Sequence, residues 1–187
     1  MRGRDERGRD ALLTYFSQYG LLLCNENAAL PYLELVGGSW NAVVSLMESG
    51  DVFYSRFYQN RVTYLSRELY AALKPYRRRL ERLDGESARL MAYLDAAGEA
   101  NAAEMQAACR LDRKAQTKAL DRLVSELLAT VIRRDATIRE NWCTFCYGPA
   151  ERWEEKHPEE RCFAASDEAE RLLSGLFTKD QIKKLLK

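Results

Sequence analysis

The sequence has little of several features that define large classes of proteins. Its 187 residues include one histidine, His157, which excludes most histidine-dependent catalysis and any metal site built from several histidines. No apolar run approaches the roughly 20 residues that span a bilayer, and no glycine-rich loop of the kind that cradles phosphates is present. Since 29 basic residues nearly balance 28 acidic ones, a site for a polyanion must come from local clustering of charge.

Cysteine usage and the N-terminal segment predict a cytoplasmic protein. Five cysteines are an odd number, which argues against the disulfide framework of a secreted domain. The first ten residues are charged and lack the apolar stretch of a secretory signal. We therefore expect a cytoplasmic location and no membrane partner. The apolar share of 47% and the charged share of 30% are typical of a globular domain.

The pattern of apolar residues predicts an α+β fold that is mostly helical. Residues 1–9 have no pattern and are expected to form a flexible tail. The elements expected in the next unit, residues 10–84, are a helix at 10–19, a buried strand-like segment at 21–24, a helix capped by Asn27 at 28–36, a helix capped by Ser39 at 40–48, strands at 51–58 and 61–65 about a turn at Gln59-Asn60, a connecting helix capped by Ser66, and an arginine-rich helix at 76–83 closed by Asp84-Gly85. Three helices followed by a β-hairpin is the order of a winged helix-turn-helix unit.

The same order of elements recurs in residues 85–158. Its predicted elements are a helix ending at Gly98, a helix opened by Asn101 and Glu104, a helix capped by Asp112, strands at 128–132 and 142–147 about a polar loop at 133–141, and a helix containing Trp153. We therefore expect tandem winged helix-turn-helix units, each with a β-hairpin wing. Residues 159–187 are predicted to be a helical extension, whose apolar stripes would either form a homodimer or pack back on the core.

The third helix of the second unit is the main candidate for binding duplex DNA. A winged helix places this element in the major groove, with its N-terminal side chains near base edges. Lys and Arg suit phosphates and guanine, and Gln can pair with adenine. The predicted DNA-binding residues of this helix and the following loop are Arg113, Lys114, Gln116, Thr117, Lys118, Arg122, Arg133, Arg134 and Arg139. The alternative interpretation is a solvated helix face, which Lys and Arg supply routinely.

The corresponding helix of the first unit has almost no basic face. Trp40, Val43, Val44 and Met47 favour a packing surface instead of a DNA-reading helix. The hairpin that follows carries Arg56 and Arg61, which are placed to touch a nucleic-acid backbone.

Cysteine spacing raises the question of a zinc site. Cys143, Cys146, His157 and Cys162 have the residue types of a zinc site, C-x2-C-x10-H-x4-C. Since residues at i and i+3 of a strand point to opposite faces, Cys143 and Cys146 are unsuited to chelate one ion. We predict buried structural thiols, with no metal and no cofactor. One carboxylate, Glu26, follows a buried segment, where it could hold a water or belong to a helix cap.

Several short segments resemble the AlkZ-related proteins, small relatives of the YcaQ/AlkZ-type crosslink-repair DNA glycosylases. The residues that carry the resemblance are Phe16–Gly20 leading to Leu21-Leu-Leu-Cys24, Leu30-Pro31, Val52-Phe-Tyr-Ser-Arg56 with Thr63 and Ser66, Glu104-Met-Gln-Ala-Ala-Cys109, Ala119-Leu-Asp-Arg-Leu-Val124, and Trp142 through Trp153-Glu154. The resemblance covers roughly residues 12–158. It implies tandem winged helices and a role in DNA repair.

The resemblance does not extend to the catalytic residues of the glycosylases. Those enzymes use a Gln-x-Gln or Gln-x-Asp pair, and residues 21–27 contain no glutamine. We expect a non-enzymatic DNA-binding protein, regulatory or accessory to DNA repair. Two alternatives stay open: a base-excision enzyme with an altered active site around Glu26, Asn25 or Asn27, and a protein-interaction module that binds no nucleic acid.

Overall fold

The computed structural model describes residues 2–77, 83–139, 142–158 and 165–186. In chain order the elements are α1 (Arg2–Gln18), β1 (Leu21–Leu23), α2 (Trp40–Glu48), β2 (Val52–Ser55), β3 (Thr63–Ser66), α3 (Arg67–Leu73) with a 3-10 turn (Lys74–Tyr76), α4 (Gly85–Ala97), α5 (Ala102–Cys109), α6 (Arg113–Ser125), β4 (Ala129–Arg139), β5 (Trp142–Pro149), α7 (Ala150–Lys156), α8 (Ala165–Ser174) and α9 (Lys179–Leu185). The α+β class with mostly helical content is confirmed.

In the part of the chain that the structure describes, the strands form two separate antiparallel sheets. The first is three-stranded, in the order β1-β3-β2, and pairs Leu22 with Tyr64 and Tyr64 with Tyr54. The second is a two-stranded ribbon of β4 and β5. The two sheets are joined by a buried hydrogen bond, in which the Thr130 hydroxyl donates to the Tyr54 carbonyl at 2.8 Å. The predicted hairpin at 51–65 and the short strand before it are therefore confirmed, although the paired segments of the hairpin are shorter than expected.

Most helix starts follow the capping signals in the sequence. The Ser39 hydroxyl accepts from the Ala42 amide, and the Asp112 carboxylate accepts from the Ala115 amide. Asn101 and Glu104 form the predicted reciprocal capping box. Each side chain satisfies a backbone N–H that would otherwise have no partner at a helix start.

Residues 2–9 belong to a helix and not to the expected flexible tail. Helix α1 begins at Arg2, eight residues before the predicted start at Asp10. The extension packs on the start of α2, where the Ser39 hydroxyl donates to Asp5 at 3.1 Å. Arg9 forms an ion pair with Asp51 at 3.2 Å. These contacts with distant residues hold a polar segment that has no apolar periodicity of its own.

The helix predicted at 28–36 is absent, and this prediction was wrong. Asn27 accepts from the Ala29 and Leu30 amides, which makes a turn and not a helix start. Pro31 has no N–H to donate within a helix, and its carbonyl accepts from Leu23 at 3.1 Å. The segment thus pairs with the end of β1 and continues as turns to residue 37. The first half therefore lacks the second of the three helices that a winged helix requires, and tandem units are not confirmed.

Two further boundaries differ from the prediction. Residues 133–139, expected to be a loop, continue strand β4. Asp84 was expected to close a helix, but its side chain accepts from the Ser87 amide and opens α4. Of the arginine-rich helix predicted at 76–83, residues 78–82 lie outside the described residues.

Within the described ranges the hydrophobic core forms two clusters, and each combines residues from before and after the predicted boundary at 84/85. One cluster joins α1, α2 and the β2–β3 hairpin to α4, α5 and α6. The other joins β1, β3 and α3 to α7, α8 and α9, and it buries Trp153, Leu173 and Phe177. The apolar stripes of α8 and α9 therefore pack within the chain, and a homodimer through them stays a prediction. Among the described residues no helix is both long and apolar enough to cross a membrane.

Gly50 and Gly85 provide a matched test of the backbone at two helix ends. Gly50 has a φ of +77°, and a β-carbon there would lie 2.2 Å from Cγ of His157. We expect Gly50→Ala to lower the free energy of unfolding by about 2 kcal/mol or more. Alanine is strained at this positive φ, and its β-carbon would displace the His157 ring. Gly85 has no heavy atom within 4 Å of a β-carbon, so Gly85→Ala should be neutral or stabilising by about 0.4–1 kcal/mol. Urea denaturation measures the stability of both variants, and equal midpoints would contradict the strain expected at position 50.

Candidate nucleic-acid interface

An open groove of about 810 Å³ runs along the exposed face of α6. One wall is the helix itself, and the other includes the turn between β2 and β3. The lining residues are Asn60, Arg113, Lys114, Thr117, Lys118, Asp121, Arg122 and Ser125. Five of the nine predicted DNA-binding residues thus lie together in one groove.

The groove carries a local excess of positive charge. Arg113, Lys114 and Lys118 are exposed and form no ion pair with any residue that the structure describes. Arg122 contacts Asp84 at 3.1 Å at the edge of the groove. Among the described residues that line the groove, the one carboxylate is Asp121, which is paired with Arg56 at 2.9 Å. The N-terminal half of the groove therefore attracts anions, although the whole chain is nearly neutral.

The Arg56–Asp121 ion pair holds the hairpin turn against α6. Arg56 also donates to the Asn60 carbonyl at 2.9 Å, so one guanidinium connects the helix to the turn. Burial raises the pKa of Asp121, and the charge of Arg56 opposes this shift. Gln59 and Asn60 both have positive φ values, 51° and 55°. Because these residues lie some 60 positions from α6 in the chain, no local sequence signal indicates that the turn forms part of the groove.

Gln116 has to be removed from the predicted DNA-binding set. It is 5% exposed, and its Nε2 donates to the Ala102 carbonyl at 2.6 Å. The side chain faces α5 as part of the buried stripe with Ala119 and Leu123. Position 116 is three residues before Ala119, so its helical spacing indicated the buried face in spite of its polarity.

The predicted arginines of the ribbon are separate from the groove residues. Arg133 forms an ion pair with Glu99, and Arg134 lies 3.6 Å from Glu48 on α2. Arg139 is exposed, opposite Trp142 in the ribbon. None of the three lines the groove along α6. The ribbon arginines are thus a second group, of which two are engaged with carboxylates.

Among the residues that the structure describes, the side chains of the suggested zinc motif do not come together. Cys143 and Cys146 are 5% and 1% exposed, and the Cys146 thiol contacts Asp135 at 3.8 Å. His157 packs against the Trp153 ring, 5.4 Å away between centroids. Cys162 lies outside the described residues. Within the described ranges no three His, Cys, Asp or Glu side chains form a cluster that could hold a metal ion.

The segment after β1 is an exposed turn. Asn25 and Glu26 are exposed, and the Glu26 carbonyl accepts from Arg61 at 3.4 Å. The Asn27 side-chain oxygen accepts hydrogen bonds from the Ala29 and Leu30 amides.

Residues 32–185 match the protein family described as AlkZ related. Since this match spans more than half of the 187 residues, the chain belongs to the AlkZ-related family. The family relationship associates the protein with DNA repair. No curated protein and no solved structure matches the chain.

The reactivity of Cys143 and Cys146, together with metal analysis, tests whether they are buried thiols without bound zinc. Burial raises the pKa of Cys143 and of Cys146, and a raised pKa lowers the fraction of reactive thiolate. We expect both to alkylate with iodoacetamide at least about tenfold more slowly in the folded protein than in urea, as measured by mass spectrometry of peptides. Fast labelling of the folded protein, or one equivalent of zinc in protein purified without chelator, would contradict this description.

Proposed function

We propose that this protein is a non-enzymatic DNA-binding protein, regulatory or accessory to DNA repair, which binds duplex DNA through the groove along α6. The observation that carries the proposal is a set of three exposed cations in the first half of that helix, Arg113, Lys114 and Lys118, which form no ion pair within the described part of the chain. The family relationship to AlkZ supports a role connected with DNA.

The order of elements in the second half also supports this proposal. Helices α4, α5 and α6 are followed by the β4–β5 ribbon, and Ala100 pairs with Tyr147 between α4 and α5. We infer a winged helix from this order, and in a winged helix the third helix enters the major groove with its N-terminal residues near the bases. Helix α6 has that position in the chain and exposes its cationic residues from the first turn onward.

The electrostatics at the start of α6 favour an anionic ligand. The aligned peptide dipoles place a partial positive charge at the N-terminus of a helix, where cationic side chains are unfavourable. Arg113 and Lys114 occupy the first two positions of α6, and Asp112 offsets them as the N-cap. A phosphate bound beside these residues would meet both the side-chain charges and the helix dipole. Phosphate contacts would supply most of the affinity, so binding should depend steeply on salt.

Replacing the three cations tests the groove directly. We expect Arg113→Ala, Lys114→Ala and Lys118→Ala, combined in one variant, to weaken binding of a labelled mixed-sequence duplex by tenfold or more. The slope of log K against log salt should fall by about 2.7, because each lost phosphate contact removes about 0.9. Fluorescence anisotropy at low and at physiological salt measures both quantities.

A second triple variant controls for the loss of charge alone. Arg152, Arg171 and Lys179 are exposed cations on α7, α8 and α9, outside the groove. Their combined replacement by alanine should leave affinity and salt slope close to those of the parent protein. Equal losses in the two variants would show that net charge, and not the groove, governs binding. No binding by the parent protein at low salt would leave a protein-interaction module as the function.

An assay for abasic sites separates the proposal from the glycosylase alternative. We expect no abasic sites after incubation with a duplex that contains N7-methylguanine, because residues 21–27 lack the glutamine pair and Glu26 lies in an open turn. Strand breaks after alkali treatment, above those of a no-protein control, would contradict the non-enzymatic assignment.

A further inference from the structure

We propose that the turn between β2 and β3 is a second DNA-contacting element, and that the Asn60 amide donates a hydrogen bond to a phosphate of the strand bound by α6. This inference rests on the proposed function of the groove. It adds a contact from the first half of the chain, whereas the α6 residues belong to the second half.

Asn60 has the position that such a contact requires. It is exposed and lines the groove together with Arg113, Lys114 and Lys118. A sugar-phosphate strand held by the α6 cations would therefore pass between the helix and the turn. A side-chain amide carries two N–H donors and no charge, so it adds a directed hydrogen bond to a site of otherwise cationic groups.

Arg56 is the positioning residue for this contact. Its guanidinium contacts Asp121 on α6 at 2.9 Å and the Asn60 carbonyl at 2.9 Å. The Arg56 and Asp121 side chains are 27% and 25% exposed, so the pair is partly shielded from solvent. Two contacts from one planar group fix the distance between the turn and the helix before DNA binds.

Gln59 provides a matched control for Asn60. The two neighbours have the same amide group, both are exposed, and both have positive φ values, 51° and 55°. Only Asn60 lines the groove. Glycine accepts a positive φ without strain, so Gln59→Gly and Asn60→Gly should each fold like the parent protein, which thermal unfolding verifies.

The test is duplex binding by anisotropy across a range of salt concentrations. We expect Asn60→Gly to weaken binding about fivefold to tenfold, as for the loss of one hydrogen bond of ordinary strength, with an unchanged salt slope because no cation is lost. Gln59→Gly should bind like the parent protein. Equal losses in the two variants, or parent-like binding by Asn60→Gly, would overturn the inference.

A double-mutant cycle tests the role of Arg56. If Arg56 acts through the turn, Arg56→Ala should weaken binding less in the Asn60→Gly background than in the parent. Strictly additive losses would refute the positioning role.

The α6 triple variant keeps the two proposals apart. If that variant loses binding while Asn60→Gly keeps it, the groove binds DNA and the turn does not contribute. If the parent protein binds no duplex even at low salt, both proposals fail together.

Discussion

The groove depends on the buried aromatic contact that joins the first half of the chain to the second. Phe53 on β2 stacks on Tyr70 of α3, with 3.8 Å between the ring centroids. Both rings pack nearly perpendicular to Trp153 on α7. All three side chains are almost completely buried, and burial of each such ring contributes about 2–3 kcal/mol. Since Phe53 belongs to the hairpin, this contact fixes β2 and β3 relative to α7. The turn of the same hairpin then reaches α6.

Polar contacts complete this arrangement along the hairpin. The Thr130 hydroxyl on β4 bonds to the Tyr54 carbonyl in the interior, and Arg56 pairs with Asp121 near the surface. From Phe53 to Asn60 the hairpin therefore passes from the apolar core to an ion pair and then to the groove. This path accounts for the positive charge of the groove, because Asp121 is paired with Arg56 and forms no ion pair with Arg113, Lys114 or Lys118.

Local signals in the sequence located several helix starts, where a side chain accepts a hydrogen bond from a backbone amide three residues along the chain. Ser39, Asn101 and Asp112 cap the helices that they were predicted to cap, because capping is a contact between near neighbours. Asn27 has the same chemistry but starts a turn, since the nearby Pro31 and the pairing with β1 outweigh its preference for a helix. The helix at residues 2–9 is stabilised by Ser39 and Asp51, and neither contact could be found from the segment alone.

The candidate site likewise has one part set by local sequence and one part set by tertiary packing. The cationic face of α6 follows from helical periodicity and was predictable as a set, apart from Gln116, whose polarity concealed its place in the buried stripe. The second wall of the groove was not predictable, because Asn60 and Arg56 meet α6 only through tertiary packing.

An NMR titration would show whether α6 and the hairpin turn bind duplex DNA together. Backbone amide shifts of labelled protein would be followed while a short mixed-sequence duplex is added at low salt. If both elements bind, the largest changes fall at residues 113–118 and 59–60, and they diminish together as salt is raised. Changes centred elsewhere, or a spectrum that the duplex leaves unaltered, would contradict binding by these two elements.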